Sequence, residues 1–233
     1  MKSGPQAESL PHKGGPSSSP LVARRAMGHS LTAAVWIGLL FCATAAAQKP
    51  ETLHYNVNWP SGLSLGEAAL TAQKTAAGWD FEMTVDAAVP GFRISDRFHS
   101  VTDPQLCSLE FTRKISQGSR KAGETTRFDQ AAGCVRDALA YLFSVGRSLA
   151  QGTLPPPAQV FYGRSYSINV AASGEQSIHI SGKPQIADCL TVHLTGPASN
   201  STFEIYFARD AARTPVRARI PTNLGPISVE LSP

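Results

Sequence analysis

Residues 134–151 (CVRDALAYLFSVGRSLAQ) form the one long helical pattern in the chain after residue 48, and this segment constrains the fold most. Its apolar residues recur at helical spacing and form one stripe. The stripe consists of Val135, Ala138, Leu139, Leu142, Phe143 and Leu149. Gly152 and the prolines at 155–157 end the pattern, because glycine favours the position after a helix and proline cannot continue one. We therefore predict one covering helix, with Leu142 buried against a sheet.

Most of the remaining chain alternates between apolar and polar residues, which is typical of strands. In residues 53–59, for example, Tyr55, Val57 and Trp59 share one face. Similar segments recur up to residue 231, separated by glycine and proline turns. One apolar and one polar face suit an antiparallel sheet with a solvated side. The sequence thus predicts a mainly β fold: a large curved antiparallel sheet, or an open barrel, of about ten strands with one α-helix at 134–151.

Glycines and polar segments predict where the strands bend and turn. Gly66 lies inside an apolar strand, where glycine often marks a bulge or the close approach of another backbone. Ser173-Gly174 predicts a turn between two strands. The polar segment 117–123 predicts the tip of a hairpin.

The N-terminal region has the pattern of an export signal. Residues 1–26 are rich in Ser, Pro and Gly and predict a disordered leader extension; 27–47 predict a signal peptide, with an apolar run before small residues. Cleavage after Ala47 would leave Gln48 as the first residue of a single β-rich domain, 48–233. Two alternatives are an uncleaved membrane anchor and lipidation of Cys42. The predicted location is exported, periplasmic or associated with the outer envelope.

The basic charge of the chain comes mostly from this leader. The whole chain has 21 basic and 17 acidic residues. Residues 1–47 hold four of the basic residues and one acidic residue, so 17 and 16 remain in 48–233. A nearly neutral domain lacks the basic surface typical of nucleic-acid binding, and we predict no nucleic-acid partner.

Three cysteines remain after the leader, and export would place them in an oxidising compartment. Cys107 begins the strand that pairs, through the hairpin at 117–123, with the strand that precedes Cys134. Antiparallel pairing brings these two residues together, so we predict a Cys107–Cys134 disulfide that leaves Cys189 as the odd thiol. The alternative is three reduced, mostly buried thiols.

No motif for catalysis, a cofactor or a metal stands in the sequence, and none of these sites is predicted. The histidines after residue 48 lie singly on polar strand positions: His54, His99, His179 and His193. Several aspartates lie beside turns or element starts, where a carboxylate accepts backbone N–H bonds. They are Asp96, Asp103, Asp129, Asp137 and Asp210. We interpret them as structural rather than as acid–base catalysts.

The aromatic residues permit two interpretations. They are Trp59, Phe81, Phe92, Phe98, Phe111, Phe203 and Phe207. One interpretation is that they fill the core. The other is that a single helix leaves part of a curved sheet uncovered, so that they line a pocket for an apolar ligand.

Several short motifs occur in an order that resembles the DUF3108 family of exported bacterial proteins, over most of residues 52–231. They are 55–59 followed by Gly66-Glu67-Ala68, Asp103, Phe128-Asp129, Asp137-Ala138-Leu139, and 210–215 before Leu224-Gly225. The chain departs from the family where a basic residue commonly occurs: Gly146 stands there, with Arg147 one place later. The resemblance implies an envelope β domain and no particular activity.

Three hypotheses of function follow, in order of preference. The first is a non-catalytic binding or carrier module for an apolar, lipid-like or envelope ligand. The second is a structural or assembly partner of an envelope biosynthesis system, which would expose apolar patches and enclose no cavity. The third is a periplasmic hydrolase, which would need carboxylates or histidines that converge in a cleft. The identity of the ligand or partner is not encoded in any motif.

Overall fold

A computed structural model of the protein describes residues 50–89, 91–180, 182–197, 200–222 and 225–232. All of these residues belong to one compact unit, Ala45–Pro233. The predicted leader extension, signal peptide and cleavage site lie outside the described residues and stay predictions.

Thirteen strands form a single curved sheet. The strands are β1 (Glu51–Asn58), β2 (Ser64–Lys74), β3 (Trp79–Val89), β4 (Phe92–Thr102), β5 (Ser108–Gln117), β6 (Arg120–Arg127), β7 (Arg136–Asp137), β8 (Ala158–Phe161), β9 (Ser165–Ile180), β10 (Lys183–Thr195), β11 (Asn200–Ala208), β12 (Pro215–Ile220) and β13 (Ile227–Leu231). Their order in the sheet is β6-β5-β4-β3-β2-β1-β13-β12-β11-β10-β9-β8-β7. Neighbours are antiparallel except for the parallel pair β7–β8.

The predicted fold class is confirmed, but the sheet has more strands than the ten expected. The additional strands include β7 and β8, which have two and four residues. Strands this short cannot display an alternating pattern, and β7 lies within the segment predicted as helix.

Gly66 occupies a β-bulge, as predicted. Val57 pairs with Gly66 and Asn58 with Ser64, so Leu65 is the additional residue on β2. Gly66 has a φ of +154°, and a Cβ atom there would lie 2.1 Å from the carbonyl oxygen of Asp86 on β3. The position requires glycine because another backbone approaches it closely.

The predicted turn at Ser173-Gly174 is wrong. Strand β9 continues through both residues to Ile180, and its register against β10 shifts by one residue at this point. Gly174 has a φ of +95°, which a bulge accommodates as readily as a turn. The same glycine signal therefore marks a bend inside one long strand. The hairpin between β5 and β6 is present, with its strands extended to Gln117 and Arg120.

The helix α1 spans Ala138–Ala150, four residues shorter at its start than predicted. Asp137 caps it: the Oδ1 atom accepts the backbone N–H bonds of Leu139 and Ala140 at 2.9 and 3.1 Å. Residues 136–137 pair with β8 instead of joining the helix. The buried face therefore differs from the predicted stripe and consists of Leu139, Ala140, Tyr141, Val145, Gly146 and Leu149.

The sheet curls so far that β7, at one end of the strand order, contacts β5, next to the other end. The backbone N–H of Ser108 donates to the carbonyl of Val135 at 2.8 Å. The predicted disulfide joins the same two regions: Cys107 and Cys134 are bonded, with Cα atoms 5.0 Å apart. Helix α1 packs in the interior of this curled sheet, between one apolar cluster on β1–β5 and another on β8–β11.

Candidate functional site

The interior of the curled sheet is incompletely filled around Leu142 of α1. Leu142 packs against both apolar clusters but remains partly exposed. It lines three cavities, with volumes of about 150, 100 and 50 Å³. The prediction that Leu142 is buried against the sheet is therefore wrong in part: the side chain packs against the sheet but stays partly exposed, and it lines these spaces.

The cavity of about 150 Å³ lies between α1 and strands β8–β11. Aliphatic side chains such as Val160, Ile168 and Leu190 form most of its wall. Three tyrosines, Tyr141, Tyr162 and Tyr166, are the lining residues whose side chains carry a polar group. Such a lining matches the mostly apolar, partly polar character of small-molecule sites.

The cavity of about 100 Å³ lies on the other side of Leu142, against β1–β3, β12 and β13. Tyr55, Leu70 and Met83 line it. The hydroxyl of Tyr55 is already satisfied, since it donates to the carbonyl of Pro215 at 2.9 Å. This wall therefore offers an apolar surface to an occupant.

A more open groove of about 330 Å³ lies at the C-terminal end of α1. Trp79, Phe81 and Phe143 contribute aromatic surface, and Lys74 and Arg147 contribute positive charge. The rings of Phe81 and Phe143 are stacked with centroids 4.2 Å apart, which anchors α1 to β3. The groove shares Phe143 with the smallest cavity, so the apolar interior continues toward a charged rim.

Gly146 allows the segment after β11 to lie directly against α1. A Cβ atom at this position would lie 3.2 Å from the carbonyl oxygen of Arg213. This close approach explains why a small residue occurs at this position. Arg147 instead donates to the carbonyl of Pro104 at 3.2 Å.

Tyr141 carries the unusual polar atom of the site. Its side chain is 5% exposed, and its hydroxyl is buried without a hydrogen-bond partner among the residues that the structure describes. Burial raises the pKa of Tyr141, and the positive charge of Arg136 acts in the opposite direction. Burial also raises the pKa of Tyr162 to about 12. Both phenols are therefore neutral O–H groups at neutral pH.

The five aspartates singled out in the sequence all accept backbone N–H bonds, as their interpretation as structural residues predicts. The backbone N–H of Ser116 donates to Asp96, and those of Gln105 and Cys107 donate to Asp103. The N–H of Ala131 donates to Asp129, those of Leu139 and Ala140 donate to Asp137, and that of Thr214 donates to Asp210. Asp103, Asp129 and Asp210 lie beside turns and Asp137 lies at the start of α1, as predicted, whereas Asp96 lies inside β4 and not beside a turn.

His54, His99, His179 and Cys189 line none of the cavities described above, whereas His193 lines a separate open pocket of about 540 Å³ with Gln159 and Asn169. His54, His179 and His193 are exposed, and His99 pairs with Asp80 at 3.0 Å. Within the described ranges, no three His, Cys, Asp or Glu side chains group as a metal site. Cys189 is a free, buried thiol, and burial raises its pKa, which makes it a poor nucleophile.

Sequence reasoning missed Tyr141 and Val145, two helix residues that line the cavity of about 150 Å³. Together with Ala138 they follow helical spacing, at 138, 141 and 145, so the signal was present. The start of α1 at Ala138, rather than at 134, decides which residues of the segment face inward.

The curled sheet and its apolar interior define a β-barrel-like protein. The chain is similar in fold to a "Beta-barrel-like Protein of Domain of Unknown Function DUF1849" from Brucella abortus, with a TM-score of 0.53 and 8% identity over 78% of this chain and 95% of that one. The family described as "Protein of unknown function (DUF3108)" matches residues 52–139, which confirms the resemblance for that part of the chain; the motifs at 210–215 and Leu224-Gly225 lie outside the match. Among curated proteins, no sequence matches the chain. Across the described parts, no helix is both long and apolar enough to span a membrane.

Proposed function

We propose that this protein is a non-catalytic binding or carrier module that holds an apolar, lipid-like ligand beneath α1. One observation carries the proposal: three apolar cavities adjoin Leu142 in the interior of the sheet. Native cores are packed with few voids larger than a water molecule. A core that keeps several such spaces around one helix residue is suited to an occupant.

The size of the spaces favours an elongated ligand. An apolar cavity of roughly 150 Å³ stays dry and accepts a molecule the size of benzene. The largest cavity alone would therefore hold one ring or a short chain. A ligand that moves Leu142 aside would reach the neighbouring cavity of about 100 Å³ and extend across the interior.

The assembly hypothesis has less support. Among the described residues, the large apolar side chains that are exposed belong to five separate segments of the chain. They are Leu63, Leu154, Tyr162, Ile186 and Ile220. Scattered apolar residues are ordinary on protein surfaces and do not form a partner's interface by themselves. The hydrolase hypothesis would need converging carboxylates, and the aspartates already serve turns and caps.

Export to the periplasm or outer envelope is part of the same proposal. It is supported by the predicted signal peptide at 27–47 and by the Cys107–Cys134 disulfide, a bond typical of oxidising compartments.

The proposal is tested by filling the cavities. Leu142→Trp adds bulk where the three spaces adjoin, and Leu63→Trp makes the same change at a surface site that is 66% exposed. Binding of diphenylhexatriene, a hydrocarbon fluorophore, is measured by its fluorescence increase. We expect wild type and Leu63→Trp to bind it and Leu142→Trp to lose most of the binding while staying folded. Absence of binding by the wild-type protein, or equal binding by all three, would reject the proposal.

A further inference from the structure

Tyr141 lines the cavity of about 150 Å³, and its hydroxyl is a buried polar group without a partner among the described residues. Its side chain is 95% buried, since only 5% of it is exposed. In the described part of the chain, nothing within hydrogen-bond distance satisfies this oxygen. The other buried tyrosines with a known partner differ: Tyr55 donates to the carbonyl of Pro215 and Tyr206 to the carboxylate of Glu204.

Such a group is unfavourable unless something pairs with it. Burial of an unsatisfied hydroxyl destabilises the folded state, and nearly all such groups in native proteins are paired. A water at this hydroxyl would need two to four polar neighbours, and besides Tyr141 only Tyr162 and Tyr166 among the lining residues carry a polar side-chain group. The site instead fits a mostly apolar molecule that brings one oxygen to Tyr141.

Arg136 carries a positive charge that acts on Tyr141, although Arg136 is not among the residues that line the cavity. It lies on β7, directly before the residue that caps α1, and β7 pairs with Val160 of the cavity wall. Its Nε atom is buried without a partner, and its recorded hydrogen bond, from Nη2 to the carbonyl of Gln105, is long at 3.4 Å. Among the described residues, no carboxylate forms an ion pair with Arg136. Its charge lowers the pKa of Tyr141, which burial raises.

We propose that Tyr141 is the polar anchor of the cavity and that the ligand is an acyl chain ending in a carboxylate, with a carboxylate oxygen accepting the hydrogen bond of the Tyr141 hydroxyl. This inference rests on the proposed function. The guanidinium of Arg136 favours the charged acid over a neutral ester. The chain itself lies along the aliphatic wall of β8–β11.

Tyr141→Phe tests the anchor, because it removes the hydroxyl and keeps the ring. Tyr206→Phe is the matched control: it is the same change at a buried tyrosine that lines none of the cavities described above. Each protein is stripped of bound lipid and loaded with diphenylhexatriene, which has no oxygen. Dodecanoate and its methyl ester are then titrated as competitors, with thermal unfolding as a second readout.

We expect all three proteins to bind the fluorophore with similar affinity. Dodecanoate should compete about five- to tenfold less well against Tyr141→Phe than against wild type or Tyr206→Phe, the loss of one hydrogen bond to a charged group. The ester should compete less well than the acid against wild type. The Tm of ligand-free Tyr141→Phe should equal or exceed that of wild type, because the hydroxyl has no partner in the free protein.

Two results would overturn this inference. Equal competition by dodecanoate against wild type and Tyr141→Phe, with the fluorophore bound, would reject the anchor and leave the apolar site standing. A markedly lower Tm for ligand-free Tyr141→Phe would show that the hydroxyl serves the fold. If the fluorophore binds to none of the proteins, the proposed function fails and the inference fails with it.

Discussion

Ser108 and Asp137 exchange two hydrogen bonds: the serine hydroxyl donates to Oδ2 of Asp137 at 2.6 Å and accepts from the Asp137 backbone N–H at 2.8 Å. The hydroxyl of Ser100 donates to the same carboxylate oxygen at 2.5 Å. The other oxygen, Oδ1, caps α1. One fully buried carboxylate thus joins strands β4 and β5 to the start of the helix, and fixes where α1 enters the curled sheet.

Replacing this carboxylate should destabilise the protein strongly. Asp137→Ala removes a helix cap, worth about 0.5–2 kcal/mol, and leaves two buried serine hydroxyls without their acceptor. We expect a loss of about 2–4 kcal/mol in the free energy of unfolding, measured by urea denaturation. Asp129→Ala is the control, since Asp129 is exposed and caps the short 3-10 turn Gln130–Ala132 through one bond. A loss below about 1 kcal/mol at both positions would contradict the anchoring role.

The same carboxylate should make stability depend on pH. Burial raises the pKa of Asp137 above its ordinary value, although the hydrogen bonds from Ser100 and Ser108 act to lower it. The folded chain then binds this proton more tightly than the unfolded chain does. The stability that Asp137 contributes is therefore fully present below its unfolded pKa, and is lost as the pH rises from that value through the folded pKa.

Asp137→Asn isolates this effect, because asparagine can still cap the helix and does not titrate in this range. We expect the unfolding free energy of wild type, minus that of Asp137→Asn, to fall as the pH increases from about 3 and then to level off. Chemical denaturation at a series of pH values measures the difference. A difference that grows with pH would mean that the hydrogen bonds outweigh burial.

The Cys107–Cys134 disulfide should supply a substantial part of the stability. It closes a loop with a sequence separation of 27, for which the chain-entropy model gives about 3–4 kcal/mol. The double variant Cys107→Ser/Cys134→Ser should lose about that amount in denaturant unfolding, and reducing agent should destabilise wild type but not the variant. Peptide mapping without reduction should link Cys107 to Cys134 and find Cys189 reduced. A Cys107–Cys189 peptide would contradict the assignment.

The disulfide and the bulge could be predicted from sequence because both follow from local pairing. The hairpin of β5 and β6 places Cys107 beside the residues that lead to Cys134. Gly66 interrupts a strand at a position where a side chain would collide with the backbone of the neighbouring strand. The structural role of the aspartates was predictable on the same ground, since caps and turns are local.

The start of the helix and the cavity were not predictable in this way. Arg136 and Asp137 continue a helical pattern in sequence, yet they pair with β8, a strand that is brought there by the curl of the whole sheet. Whether Tyr141 finds a partner depends on β8–β11, which lie after it in the chain. The spacing of apolar and polar residues along the chain does not encode such long-range contacts.

Leu139 and Leu142 provide a final prediction, because they are neighbours on α1 with different surroundings. Leu139 is 4% exposed and belongs to the core cluster on β1–β5, whereas Leu142 is partly exposed and lines three cavities. Leu139→Ala should destabilise by about 2–5 kcal/mol, the range for a closely packed leucine. Leu142→Ala should cost about 1–2 kcal/mol, since this side chain has fewer contacts to lose on the sides that face empty space. Urea denaturation of both variants measures the difference. An equal loss at the two positions would show that the interior packs around Leu142 in solution, and the cavities would then be too small for a ligand.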